Sequence, residues 1–232
     1  MSNFLVNSFI EFPEAGAFPF TWIYDDTANW TKNGTTVTVD DVIAGICYGN
    51  GQTANTFEGV SKPFDSVDDE AISDSEWYMK FDFIIDSGLN YYSKPFLLTA
   101  GAGNPQTADQ DAIGFGFNGA VSSNATVFWM WKIGSGSFSF ISTTDHSGDN
   151  LALVKDTQYY ITLTRTSTTN ITIYVYTDSD RTSQITNSPQ SYNMSADIGG
   201  LTHLQHGMLT DTANDQAIFK IDNLYANNGA LP

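Results

Sequence analysis

Trp77-Tyr78-Met79-Lys80-Phe81-Asp82-Phe83-Ile84-Ile85 decides the fold class. Trp77, Met79, Phe81, Phe83 and Ile85 fall on one side of an extended chain, and Tyr78, Lys80 and Asp82 on the other. Side chains of a strand alternate between its two faces, so this pattern predicts a strand with one face on a core. Outward from it, 159–165 and 171–176 read as two more β runs, and the polar 166–170 between them predicts a hairpin. A second hairpin joins 127–133 to 137–141 through Gly134-Ser135-Gly136. In 112–117, Ile113, Phe115 and Phe117 alternate with Gly114 and Gly116. Glycines there let another backbone or a ligand come close.

Further runs at 36–39, 42–48, 95–100, 201–209 and 217–225 bring the expected total to ten to twelve strands. No window keeps apolar residues at helical spacing over three turns. Many short strands without interleaved helices predict an all-β sandwich of two antiparallel sheets rather than a parallel α/β sheet. The 232 residues suit one large β domain, with 1–19 as an N-terminal extension or edge strand.

Charge narrows the partners. Nine Lys and Arg stand against 26 Asp and Glu, a formal net charge of −17. Such a surface repels phosphate, which argues against nucleic acid and anionic lipid as partners. No apolar stretch approaches the ~20 residues of a membrane-spanning helix. MSNFLVNSFIEF carries no basic leader, so no secretory signal is expected. Cys47 is the one cysteine, sits in an apolar run and reads as a small buried filler.

The usual catalytic groupings are missing from the sequence. His203 and His206 are three apart, so on a regular strand they point to opposite faces and cannot share a metal unless a bulge intervenes. Glu11, Glu14, Glu58, Glu70 and Glu76 form no alternating acidic strand motif. No carboxylate pair is therefore expected at glycosidase distance in an open groove. Nucleophile elbows, phosphate loops and dinucleotide fingerprints are also lacking.

The Trp77 strand, Lys94-Pro95-Phe96-Leu97-Leu98-Thr99-Ala100-Gly101, Gln110-Asp111-Ala112-Ile113-Gly114, Gln158-Tyr159-Tyr160-Ile161-Thr162-Leu163-Thr164-Arg165 and Phe219-Lys220-Ile221-Asp222-Asn223-Leu224-Tyr225 resemble the concanavalin A-like lectin/glucanase superfamily. The resemblance covers roughly residues 20 to 228 and implies a jelly roll of two curved antiparallel sheets. That superfamily holds lectins, laminin-G-like modules, carbohydrate-binding modules, glucanases and lyases. The glucanase carboxylate motif and the Arg- and His-bearing lyase motifs are absent, with Arg165 and Arg181 the two arginines. The expected function is therefore a non-catalytic, lectin-like binding or adhesion module for a glycan or polysaccharide.

Sugars are held by aromatic platforms under their apolar faces and by polar groups on their hydroxyls. Trp129 and Trp131 share one face of their strand and make a stacking platform if that face is open to solvent. Tyr91 and Tyr92 lie in the loop after the Trp77 strand, and Asn104, Asp109 and Asp111 lie in the polar loop 101–111. These seven are the candidate ligand-binding residues. The resemblance also implies a structural calcium ion near the chain ends, with Asp26 and Asp222 as the candidate ligands. The module is expected to be displayed on a virion or cell surface, and the rival expectation is a virion structural or decoration protein with no glycan ligand, open to oligomer formation. An exported style of fold without a leader fits a particle assembled in the cytosol, or a fragment of an exported protein. A polysaccharide-active enzyme of atypical motif is the third reading.

Overall fold

The computed structural model describes residues 20–22, 30–33, 46–49, 56–64, 71–87, 93–118, 124–142, 151–210 and 215–232. In chain order these hold β1 (Phe20–Trp22), β2 (Thr31–Asn33), β3 (Ile46–Gly49), β4 (Thr56–Pro63), β5 (Trp77–Ser87), β6 (Ser93–Thr99), β7 (Ala112–Asn118) and β8 (Asn124–Lys132). There follow β9 (Ser139–Ser142), β10 (Ala152–Val154), β11 (Gln158–Arg165), β12 (Asn170–Tyr176), β13 (Gln190–Asn193), β14 (His203–Thr210) and β15 (Asp215–Asn228). No helix occurs among the described residues. The expected runs at 1–19 and 36–39 lie outside them.

One sheet runs β1-β15-β5-β11-β12-β13, with β3 also on β15. The other runs β10-β8-β7-β6-β14-β4-β2, with β9 also on β8. Every ladder is antiparallel. The chain changes sheet after each of β1 to β5 and again after β10, β13 and β14, so the last two strands enter the middle of opposite sheets, as in a jelly roll. The expected two-sheet sandwich is what forms.

Alternation places the core. Trp77, Met79, Phe81, Phe83 and Ile85 of β5 are fully buried and meet Phe96, Leu98, Ile113, Phe115, Val127 and Trp129 of the other sheet. Phe81 stacks on Phe96 at 4.8 Å and on Phe115 at 6.1 Å between ring centroids, so aromatic faces join the two sheets. The gap left by Gly114 is filled by backbone and not by a ligand. A Cβ there would sit 2.1 Å from the Phe96 carbonyl oxygen.

The far side of the second sheet is also covered. Phe57, Leu97, Ala112 and Phe138 form a smaller apolar cluster there. The loop 100–111 is bonded across the same side. Gln205 Nε2 donates to Thr99 Oγ1 at 3.1 Å and to the Gly101 and Gly103 carbonyls at 3.0 and 2.8 Å. Asn33 Nδ2 and Ser61 Oγ donate to the Ala102 carbonyl, and buried Lys132 Nζ donates to those of Pro105 and Ala108. Burial pushes the Lys132 ammonium below the ordinary lysine range, and the nearby Asp109 carboxylate offsets part of this.

Candidate functional site

The outer face of the first sheet is built by its register. Asp222 is the partner of Asp82, Asp82 of Tyr160, and Tyr160 of Tyr176, which makes one line across β15, β5, β11 and β12. The next line along the strands is Tyr225, Lys80, Thr162 and Tyr174. The core-facing residues between these positions point the other way, so both lines face outward.

β15 breaks its own alternation where the first line begins. Ile221 and Leu224 are both buried in the core although they are three residues apart. Between Asp222 and Tyr225 the pairing with β5 slips, and Asn223 sits at φ 51°, in the left-handed region that Asn tolerates. Asp222 and Asn223 therefore both face outward. On a regular strand Asp222 would share a face with Leu224, and the bulge separates them. The Asn223 N–H donates to Asp222 Oδ1 at 2.7 Å, and its Nδ2 donates to Asp82 Oδ2 at 2.8 Å.

Above this bulge lies a cleft of about 510 Å³, lined by Asp82, Phe83, Ile84, Gln158, Tyr160, Lys220, Asp222 and Asn223. Arg181 borders it, with Nη2 at 3.7 Å from Asp82 Oδ1 and its guanidinium 5.8 Å over the Tyr160 ring centre. Burial lowers the pKa of Arg181, and Asp82 is the main group opposing that shift. Arg181 is presented by a tight turn in which Asp178 accepts hydrogen bonds from the Thr182 and Ser183 N–H groups, both at 2.8 Å. Those bonds, the Thr182 backbone first, hold the Asp178 carboxyl below its usual range. Tyr174 stacks on Tyr176 at 6.5 Å and 8°. Burial raises the Tyr176 phenol pKa. On the other flank Tyr78 and Tyr225 lie 5.9 Å apart, and burial, then Tyr78, pushes the Tyr225 phenol up to about 12.

The residues singled out from sequence fall elsewhere. Trp129 is 1% exposed inside the core, and Trp131 packs half-buried against the same cluster. A solvent-open platform on these two is therefore corrected: their face of β8 is the one that meets the opposite sheet. In the loop, Asn104 Oδ1 accepts from the Gln106 N–H at 2.9 Å, and its own carbonyl accepts from the N–H groups of Thr107 and Ala108. Asp111 accepts from the Gly134 N–H at 3.0 Å and the Gly199 N–H at 3.2 Å. Both side chains are committed to local structure, whereas Asp109 is exposed. Tyr91, Tyr92 and Asp26 lie outside the described residues. His203 and His206 are both buried in β14, where the ladder to β6 does shift between Gln205 and Gly207. Among the described residues no group of three or more His, Cys, Asp or Glu is placed to hold a metal.

A pair of acids lines the cleft. Asp82 and Asp222 come from strands remote in sequence and meet as direct cross-strand partners at the cleft. Such partners hold their Cβ atoms ~5 Å apart. Motif spacing along one strand could not reveal this. The signal that could was Asp222-Asn223, two adjacent polar residues between the apolar Ile221 and Leu224.

No family model matches the sequence, and no curated protein matches it. Solved structures similar to the chain include the globular domain of T. cruzi calreticulin, at 8% identity and a TM-score of 0.48, covering 91% of this chain and 88% of that one. Another is domain 4 of AbnA, a GH43 extracellular arabinanase from Geobacillus stearothermophilus, in complex with arabinotriose, at 13% identity and a TM-score of 0.47, covering 88% and 84%. A third is the binding domain of Paraclostridial Mosquitocidal Protein 1, at 12% identity and a TM-score of 0.43. There the match covers 81% of this chain and 43% of that one.

Proposed function

We propose that the chain is a non-catalytic, lectin-like module that binds carbohydrate in the cleft over β15, β5 and β11. One observation carries this: the Tyr160 ring stands in line with two carboxylates, beside Asn223, Gln158 and Lys220. A sugar has an apolar ring face and a rim of hydroxyls, and this surface offers an aromatic face with acceptors and donors at its edge.

Binding is favoured over cleavage by how the two acids are used. Asp82 is engaged through Oδ2 by Asn223 and through Oδ1 by Arg181, and Asp222 Oδ1 accepts the Asn223 N–H. Glycoside hydrolysis needs one carboxyl free to protonate the leaving oxygen and a second free to attack or activate water. This arrangement instead presents fixed acceptors for hydroxyl groups. A calcium ion in the same cleft would take the Asp222 carboxylate and the Asn223 side-chain carbonyl. Sugar hydroxyls or water would complete the roughly six to eight oxygens it requires.

A glycan array followed by calorimetric titration of the best binder tests the reading. Tyr160→Ala and Asp222→Asn should each weaken binding roughly tenfold, about 1.4 kcal/mol. Release of reducing sugar from that glycan, or binding indifferent to both substitutions, would overturn it.

A further inference from the structure

We infer that the cleft takes an internal stretch of a linear, uncharged polysaccharide lying across the strands, not a single terminal sugar. The inference rests on the carbohydrate reading above. The polar and aromatic groups of the outer face are spread along a line rather than gathered around a point. Asp222, Asp82, Tyr160 and Tyr176 occupy four successive strands in one register. Neighbouring strands lie ~4.8 Å apart, so this line is roughly 14 Å long. One sugar ring spans about one strand spacing. A ligand that reaches both the acids and the rings therefore needs about three.

The far end of the line ends on an aromatic face as well. Tyr176 is largely covered and backs Tyr174, which stacks on it nearly parallel and stays half-exposed on the same outer side. Thr162, the cross-strand partner of Tyr174, is 1% exposed although it points away from the core, so β11 is covered beside Tyr174. A chain running from the cleft past Tyr160, whose ring carries the Arg181 guanidinium, reaches Tyr174 diagonally across β11 and β12.

Charge selects the kind of chain. Lys220 lines the cleft with Asp82 and Asp222, and Arg181 borders it, so two cations balance two carboxylates along the track. The whole molecule carries −17 and repels an acidic polymer at long range. Hydroxyl-rich neutral backbones fit both conditions.

The experiment titrates mono- to hexasaccharides of linear gluco-, xylo-, manno- and galacto-series into the full chain, with oligogalacturonides as the acidic series. Affinity should rise about tenfold or more from mono- to trisaccharide in at least one neutral series, then level off. Tyr174→Ala should drop the trisaccharide to the disaccharide's affinity and leave the disaccharide unchanged, Tyr174→Phe should preserve both, and Asp222→Asn should weaken every length. Equal affinity for all lengths, still lost in Asp222→Asn, would overturn the chain inference and leave the carbohydrate reading standing. Tighter binding of the acidic series would overturn its neutral character. Length-dependent binding indifferent to Asp222 and Tyr160, or no binding across all the series, would overturn both.

Discussion

Asp222 lies directly opposite Asp82 across β15 and β5, and Asn223 ties the two together through a backbone and a side-chain hydrogen bond. Like charges in opposite positions destabilise a sheet. The pair is tolerated because an amide bridges it and a guanidinium flanks it.

Asn223 should accordingly respond to substitution in a particular order. Asn223→Ala loses the bridge and the polar side chain that makes the left-handed region tolerable, for a cost of about 1–3 kcal/mol. Asn223→Gly loses the bridge alone and should cost less. Urea unfolding midpoints check this, and a glycine variant less stable than the alanine one would contradict the bulge.

The β8 tryptophans should behave as packing residues. Trp129→Ala should cost about 3–5 kcal/mol through the cavity it leaves. Trp131→Ala, half-buried, should cost less and leave the glycan affinity of the folded protein unchanged. A loss of affinity at Trp131 without a loss of stability would restore a platform on that strand.

Alkaline pH offers a separate check. The fold favours the neutral Tyr225 phenol, whose pKa is pushed up from 10.0 to about 12. Its contribution is complete below pH 10 and fades as pH rises toward about 12. Stability should fall over that window. Tyr225→Phe should flatten this part of the stability curve, measured as unfolding midpoints against pH with the phenolate absorbance followed in parallel.

Calcium at millimolar concentration should raise the melting temperature beyond what sodium achieves at equal ionic strength, by ~2.7 kcal/mol of stability at a hundredfold excess over its dissociation constant. The sodium control is needed because screening alone relieves repulsion in so acidic a chain. Asp222→Asn should abolish the calcium-specific increment. Identical midpoints in calcium and in chelator would remove the ion from the cleft.

Alternation made the strands legible. The reading of 77–85 carried to both faces of β5, and Gly114 was correctly suspected of a close approach. What alternation cannot say is which face meets the core when both are apolar. In Phe128-Trp129-Met130-Trp131 the two choices look alike, so the tryptophans could not be assigned. The loop 101–111 read as a binding loop because it is polar, yet Gln205 and Lys132 occupy its carbonyls from strands far along the chain. The cleft was hidden for the same reason: it exists only once β5, β11 and β15 are aligned, and local pattern carries no information about that register.

A regular strand rations its contact with a ligand, since every second position belongs to the core. At the bulge in β15 two neighbouring codons escape that rationing, while Ile221 and Leu224 on either side keep their places in the interior. Mutation at 222, and at 223 within the few residues its left-handed backbone admits, can therefore alter the cleft without disturbing a packed side chain.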